Sequence, residues 1–172
     1  YGYNTPVLAL QWLPSPVLNL YVSAGQGFES PTLNELAYRS DGSTGFNTTL
    51  QPQTSLQLEL GAKWRDNALG LGVEVALCRA DSDDEIGVLT NAGGRSTFQN
   101  VGSTRRSGAE LGLRWQPHAQ WRAMLAMTTL DAIYRDSFET CNVVPCTQPQ
   151  DRVIVPAGNP AGVGSCEPVA RR

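Results

Sequence analysis

From residue 53 to residue 65 the sequence alternates without a break. Leu56, Leu58, Leu60, Ala62 and Trp64 fall on one parity, and Ser55, Gln57, Glu59, Gly61, Lys63 and Arg65 on the other. A two-residue period sends alternate side chains to opposite faces of a strand, so this stretch predicts a strand with one apolar and one wet face. After Asp66-Asn67 the pattern returns: Leu69, Leu71, Val73, Val75 and Leu77 oppose Gly70, Gly72, Glu74 and Ala76. Together the two segments predict a long hairpin. A four-residue link over residues 66–69 is expected in place of a two-residue one, because the shorter register sets Glu59 directly opposite Glu74.

Four further strands follow from the same period. Leu8, Leu10 and Trp12 share a parity that Pro14-Ser15-Pro16 ends, since proline fixes φ and removes a donor. Leu18, Leu20, Val22 and Ala24 make the second row, running to about Gly27. Ala109, Leu111, Leu113 and Trp115 make the fifth, and after a short link at residues 116–120 Trp121, Ala123, Leu125 and Met127 make the sixth. Between them the period is lost in polar stretches at residues 28–52 and 80–97 and again from about Asp131. Inside the first of these, Thr32 and Glu35 have capping-box spacing ahead of Leu36 and Ala37, which predicts one helical turn. The fold class is therefore all-β, an antiparallel meander of about six long strands.

The order of connections decides what kind of sheet this is. They run short, long, short, long, short, long, the arrangement of a transmembrane barrel with tight turns at one rim and long loops at the other. All four tryptophans (Trp12, Trp64, Trp115 and Trp121) sit on the apolar parity beside short links, as in an interfacial aromatic girdle. Strands of about eleven to thirteen residues exceed the five or six usual in soluble sheets and suit a tilted crossing of a bilayer. The expected organisation is a partial barrel over residues 1–134, followed at 135–172 by an extracellular-type loop and an irregular tail holding Cys166, Arg171 and Arg172. A soluble β-sandwich that binds carbohydrate or protein through its loops is the alternative.

Composition narrows the function. In 172 residues, 17 Gly and 11 Pro fit a turn-rich all-β chain of one or at most two domains. A net charge of −3 supplies no basic footprint for nucleic acid, and no apolar run is long enough for a transmembrane helix. The opening YGYNTPVLAL lacks the basic start and apolar centre of a signal peptide and begins in mid-pattern, so the chain is expected to be a piece of a longer one. His118 is the sole histidine and lies in a turn beside Pro117, which excludes a histidine triad or multi-histidine metal site within this chain. Asp81, Asp83, Asp84 and Glu85 lack the glycine and distal glutamate of the standard calcium loop. Ser23 and Ser107 have no strand-to-helix elbow after them, and the glycines at 70, 72 and 87 precede no helix that would cradle phosphate. Glu59, Lys63, Glu74, Glu110 and Arg114 fall on the wet parity, where charges pair across strands. No enzyme, resident metal or cofactor is expected.

The runs YVSAGQGFESPTLNELAY, GFNTTLQPQTSLQLELGAKW and FQNVGSTRRSGAELGL resemble the barrel region of TonB-dependent outer-membrane receptors, over roughly residues 18–136. The most specific parts are Gly-Phe-Glu-Ser-Pro-Thr at 27–32, Leu50-Gln51-Pro52 leading to Glu59-Leu60-Gly61 and Lys63, and Asn100-Val101-Gly102 leading to Gly108 and Glu110. The resemblance implies a location in the bacterial outer membrane and a 22-stranded barrel around an N-terminal plug. It implies energy-coupled uptake of a scarce ligand, often a ferric siderophore. Its implied partners are that ligand, outer-membrane lipid and the TonB complex, engaged through a plug these residues do not contain. Six strands do not enclose a ligand-sized lumen, so the segment alone is not expected to transport. If the ligand is a ferric siderophore, contacts are expected from residues 28–47 and 80–97, with Tyr38, Arg39, Phe46, Arg95 and Phe98 as candidates. Aromatic faces and guanidinium groups suit flat anionic chelates. An outer-membrane protein matures through an oxidising periplasm, and Cys141 and Cys146 flank Pro145 in a polar loop, so a disulfide is expected between them.

Overall fold

The computed structural model describes residues 2–39, 45–92, 94–142, 146 and 148–162; Cys166, Arg171 and Arg172 lie outside them. Six long strands form one antiparallel sheet: β1 (Val7–Ser15), β2 (Leu18–Glu29), β3 (Gln53–Asp66), β4 (Leu71–Asp83), β7 (Thr104–His118) and β8 (Trp121–Tyr134). Its neighbours are consecutive except that β5 (Ile86–Ala92) and β6 (Arg95–Asn100) form a hairpin of their own between β4 and β7. A third hairpin pairs β9 (Phe138–Cys141) with β10 (Arg152–Val155). One helical turn, α1 (Leu33–Leu36), follows β2, and its Thr32 cap forms the capping box with Glu35.

Register shows why the alternation survives so many strands. Leu10 lies opposite Val22, Val22 opposite Leu60, Leu60 opposite Leu77, and Leu77 opposite Ala109. One step nearer the short turns, Leu20, Ala62, Val75, Leu111 and Met127 form the next row. The apolar parities of all six strands thus merge into one continuous face. Nothing among the described residues covers it, so Leu10 is 64% exposed and Leu60 56%. Transfer of each such leucine to hydrocarbon is worth about 2 kcal/mol, which makes lipid the solvent this face requires. A soluble sandwich needs a second sheet here. The two small hairpins instead stand at the long-loop end, which sets that alternative aside. At the opposite end Trp12 faces Leu20, Trp64 faces Leu18, Trp115 faces Leu71 and Trp121 faces His118, so every tryptophan lies by the short turns.

The β3–β4 link has four residues, but they are 67–70 and not 66–69. Asp66 ends β3 and its Oδ1 accepts from Ala68 N at 2.8 Å and Leu69 N at 3.1 Å. Gly70 closes the turn at φ +61°, so close to the Gln116 carbonyl that a Cβ would come within 2.1 Å of it. The one-residue shift places Glu59 opposite Cys78 and Lys63 opposite Glu74, an opposite-charge pair. On the same wet face Tyr21 lies flat across Gly61, its hydroxyl donating to the buried carboxylate of Glu59, with Lys63 Nζ 5.4 Å from the ring centroid. A Cβ at Gly61 would meet that ring at 2.3 Å.

Residues 80–97, read as a loop from the sequence, hold the end of β4, all of β5 and the start of β6. Ile86, Val88, Thr90, Thr97 and Phe98 favour strand, but the register shifts between Val88 and Thr90, which breaks the alternation. Beyond β10 the chain returns to the edge of β8. Tyr134 N donates to Asn159 O at 2.9 Å, Gly158 N to Tyr134 O at 2.7 Å and Ala161 N to Ala132 O at 2.8 Å.

Cys141 and Cys146 are joined, with Cα atoms 5.8 Å apart, at the end of β9. Peptide mapping without reductant should recover residues 141 and 146 as one linked species and leave Cys78 alkylatable; free thiols at both positions would remove the bond. Gly61→Ala should displace Tyr21 from Glu59 and cost about 1–3 kcal/mol as an overpacking change. Thermal unfolding of the parent barrel in detergent reads this, and an unaltered midpoint would show that the ring shifts freely.

Candidate functional site

The long-loop rim is where the polar stretches converge, and two asparagines stitch them together. Asn47 is buried; its backbone N–H donates to Leu36 O at 2.7 Å and its Nδ2 to Phe98 O at 3.0 Å, tying α1 and the first loop to β6. Asn100 ends β6 and answers in the other direction. Its Oδ1 accepts from Gln51 N at 2.8 Å, and its Nδ2 donates to Gln51 O at 2.9 Å and Asp84 O at 2.7 Å. Leu50 and Val101, each 3% exposed, fill the space beneath. The third hairpin joins through Gln99, whose Nε2 donates to Glu139 O at 2.6 Å.

Beneath this layer an ion pair fastens the base of the β5–β6 hairpin to β7. Arg106 donates through Nη2 to Glu85 Oε1 at 2.7 Å and through Nη1 to Oε2 at 2.9 Å, while the fully buried Thr104 hydroxyl donates to the same carboxylate. Burial alone would raise the pKa of Glu85. The hydrogen bonds from Arg106 and Thr104 and the guanidinium charge outweigh it and hold the carboxyl below its ordinary 4.5. Asp136 is likewise lowered, by hydrogen bonds from Ser103, whose N–H donates to Oδ2 at 2.8 Å. A lumen-side hollow of about 450 Å³ lies next to this latch, lined in part by Glu29, Gln53, Gln57, Ser82 and Arg106.

The structure places the five candidate residues unequally. Tyr38 and Arg95 come together, the guanidinium carbon 5.3 Å above the ring centroid, although they are far apart in sequence. Phe46 is 63% exposed on the same loop, and Arg39 lies beside Gly45. Phe98 differs: it pairs with Val88 inside the hairpin, and its carbonyl serves as the anchor for Asn47. The acidic run does not converge, because Asp81 meets Arg79 and Arg105 on the outer face while Glu85 turns inward to Arg106. Among the described residues no group of three His, Cys, Asp or Glu is placed to hold a metal. Sequence reasoning missed Asn47, Asn100, Thr104 and Arg106. The available signal was Asn before a β-segment and after one, positions where its side chain competes for backbone groups.

An exposed rim with an aromatic face, a guanidinium and rigid backbone staples is suited to recognition. A vitamin B12 transporter of Vibrio vulnificus (strain YJ016), BtuB, is 31% identical over 110 residues, which cover 63% of this chain and 17% of that protein. Among solved structures, the copper transporter OprC superposes with a TM-score of 0.62 at 19% identity, covering 73% of this chain and 20% of that one. The siderophore receptor PirA from Pseudomonas aeruginosa gives 0.57 at 18%, covering 75% and 26%. The chain spans about a fifth of the length of these relatives, which are transporters and receptors rather than enzymes. A family model described as TonB dependent receptor-like, beta-barrel, matches residues 1–159. With its six-stranded sheet, outward apolar face and alternating short and long connections, the chain belongs to the TonB-dependent receptor family, as a stretch of an outer-membrane β-barrel of bacteria.

Proposed function

We propose that this segment forms part of the wall and outer rim of a receptor for energy-coupled uptake of a scarce ligand, and that the ligand is a ferric siderophore. In this reading residues 1–134 are barrel wall and the residues from 135 an outer loop and tail. The segment does not transport alone, and coupling to TonB passes through a plug in the parent protein. The reading is carried by the Tyr38–Arg95 pair, which stacks a cation over an aromatic ring at the exposed rim. Such a pair complements a flat anionic chelate. A cobalamin-type ligand is the second reading, favoured by the likeness to the vitamin B12 transporter over 110 residues.

In the full-length receptor, replacing residues 30–46 and 86–99 with Gly-Ser linkers should weaken ligand binding while leaving the barrel inserted. Tyr38→Ala combined with Arg95→Ala should cost about tenfold in affinity if each contact is worth about 0.5–1 kcal/mol. Titration with a ferric catecholate, a ferric hydroxamate and cyanocobalamin separates the two readings. Affinity for all three that survives both loop replacements would place recognition elsewhere and retire Tyr38, Arg39, Phe46, Arg95 and Phe98.

The Glu85 latch gives a pH signature. Because folding lowers its pKa, the carboxylate stabilises the hairpin fully above the ordinary 4.5, and this contribution is lost as pH falls below that value. Hydrogen exchange of residues 86–100 should therefore accelerate below about pH 4.5. Glu85→Gln should abolish that dependence and cost about 1.5–3 kcal/mol through the lost charged hydrogen bonds. Protection that stays flat down to pH 3 in the unsubstituted protein would refute the latch.

A further inference from the structure

The hollow beside the Glu85–Arg106 pair is laid out in rows across the inward face. Gly27, Ser55 and Ser82 stand side by side on β2, β3 and β4, and Gln57 and Ala80 make the next row toward the short turns. Gly27 keeps the floor open. A Cβ there would come within 2.5 Å of Ser55 Oγ and 3.9 Å of Gln57 Nε2. Glu29, the next inward residue of β2, and Glu35 of α1 also line the space.

This lining holds acceptors that no donor meets. Gln57 Oε1 is buried and receives no hydrogen bond among the described residues. Ser82 is 3% exposed in the floor, and its hydroxyl has no partner among them either. The charges are unequal as well. Glu85 and Arg106 cancel, while Glu29 makes no ion pair with a described residue and Glu35 is engaged by the uncharged Thr32 cap. Two carboxylates are thus left without a cation. A metal ion does not fit, because no three carboxylate, thiol or imidazole groups converge among the described residues. A primary ammonium does: it brings one positive charge, three donors and no acceptor. The volume of about 450 Å³ falls within the range of small-molecule pockets.

We propose that this hollow binds a primary ammonium group carried by the ligand, so that the ferric chelate has a cationic arm. The inference rests on the siderophore reading and narrows it to one class of chelate. Gln57 Oε1 and Ser82 Oγ accept protons of the ammonium, and Glu29 and Glu35 balance its charge. Tyr38 follows Glu35 by three residues, so the arm and the chelate are held at the same end of the sheet.

The test uses the full-length receptor carrying this segment, in detergent, titrated by fluorescence quenching with two probes. One is a linear ferric trihydroxamate ending in a free primary amine, and the other is the same chelate with that amine acetylated. The amine form should bind the unsubstituted receptor about tenfold more tightly, the worth of one charged hydrogen bond. The combined Glu29→Gln and Glu35→Gln variant should bind the two alike; glutamine at 35 retains the Thr32 capping box. Equal affinity on the unsubstituted receptor would overturn the ammonium site while the siderophore reading stands, and would leave the hollow to a cationic side chain of the parent receptor. Binding of neither probe would overturn the siderophore reading and this inference with it. A preference that the double variant keeps would put the ammonium elsewhere and reject the site. Heat-modifiable mobility reports barrel insertion separately. Should the variant fail to insert, the two probes on the unsubstituted receptor decide, and equal affinity rejects the proposal.

Discussion

In hydrocarbon there is no water to accept a stray N–H, so a strand crosses a membrane only beside another strand that takes up its backbone groups. That constraint explains why the six long strands here pair along their lengths, each with the next in the sheet, the register shifting only beside the β1–β2 and β7–β8 turns. Val22 opposite Leu60, Leu60 opposite Leu77 and Leu77 opposite Ala109 keep the apolar parity in phase from strand to strand. A slip of one residue anywhere would send leucines into the lumen and Glu59 or Lys63 into lipid. The edge of β8 obeys the same rule. Residues 158–161 come back to it as soon as the β9–β10 hairpin is complete.

The wall was legible in the sequence for that reason. Period two needs no knowledge of partners, and the order of link lengths needs only the points where the period stops. What the pattern did not carry was the last two-residue step of register at the β3–β4 turn. Avoiding Glu59 against Glu74 selected the right link length, yet the position of the turn depends on Asp66 accepting from Ala68 and Leu69, and on Gly70 reaching positive φ against Gln116. Those are choices between neighbouring backbone geometries, to which alternation is blind. The β5–β6 hairpin escaped notice for a related cause: the shift between Val88 and Thr90 interrupts the alternation in mid-strand.

The rim was half legible. Its polar composition marked its extent, and Tyr38 and Arg95, named separately in the sequence, lie together, but the groups that hold it together are polar side chains spent on backbone. Motifs that first served only as a resemblance acquire physical roles here. Leu50 is buried under Gln51, whose N–H and C=O are both taken by Asn100, and Val101 fills the gap where Gly87 has no side chain. Gly102, at φ +82°, lets the chain turn into β7 against Asp136. Each residue matters through a contact far away in sequence, which a local reading of one chain does not reveal.

The inner face supplies the last step. It is built from small residues such as Gly61, Ala76 and Gly108, and its large side chains lie along the wall: Tyr21 flat across Gly61, with Glu59 and Lys63 tied to it. Tyr21 takes one carboxylate oxygen of Glu59, while the other oxygen is buried with no hydrogen-bond partner among the described residues. At its long-loop end this face runs into the Glu85–Arg106 pair, and above that pair stands the rim that Asn47 and Asn100 staple.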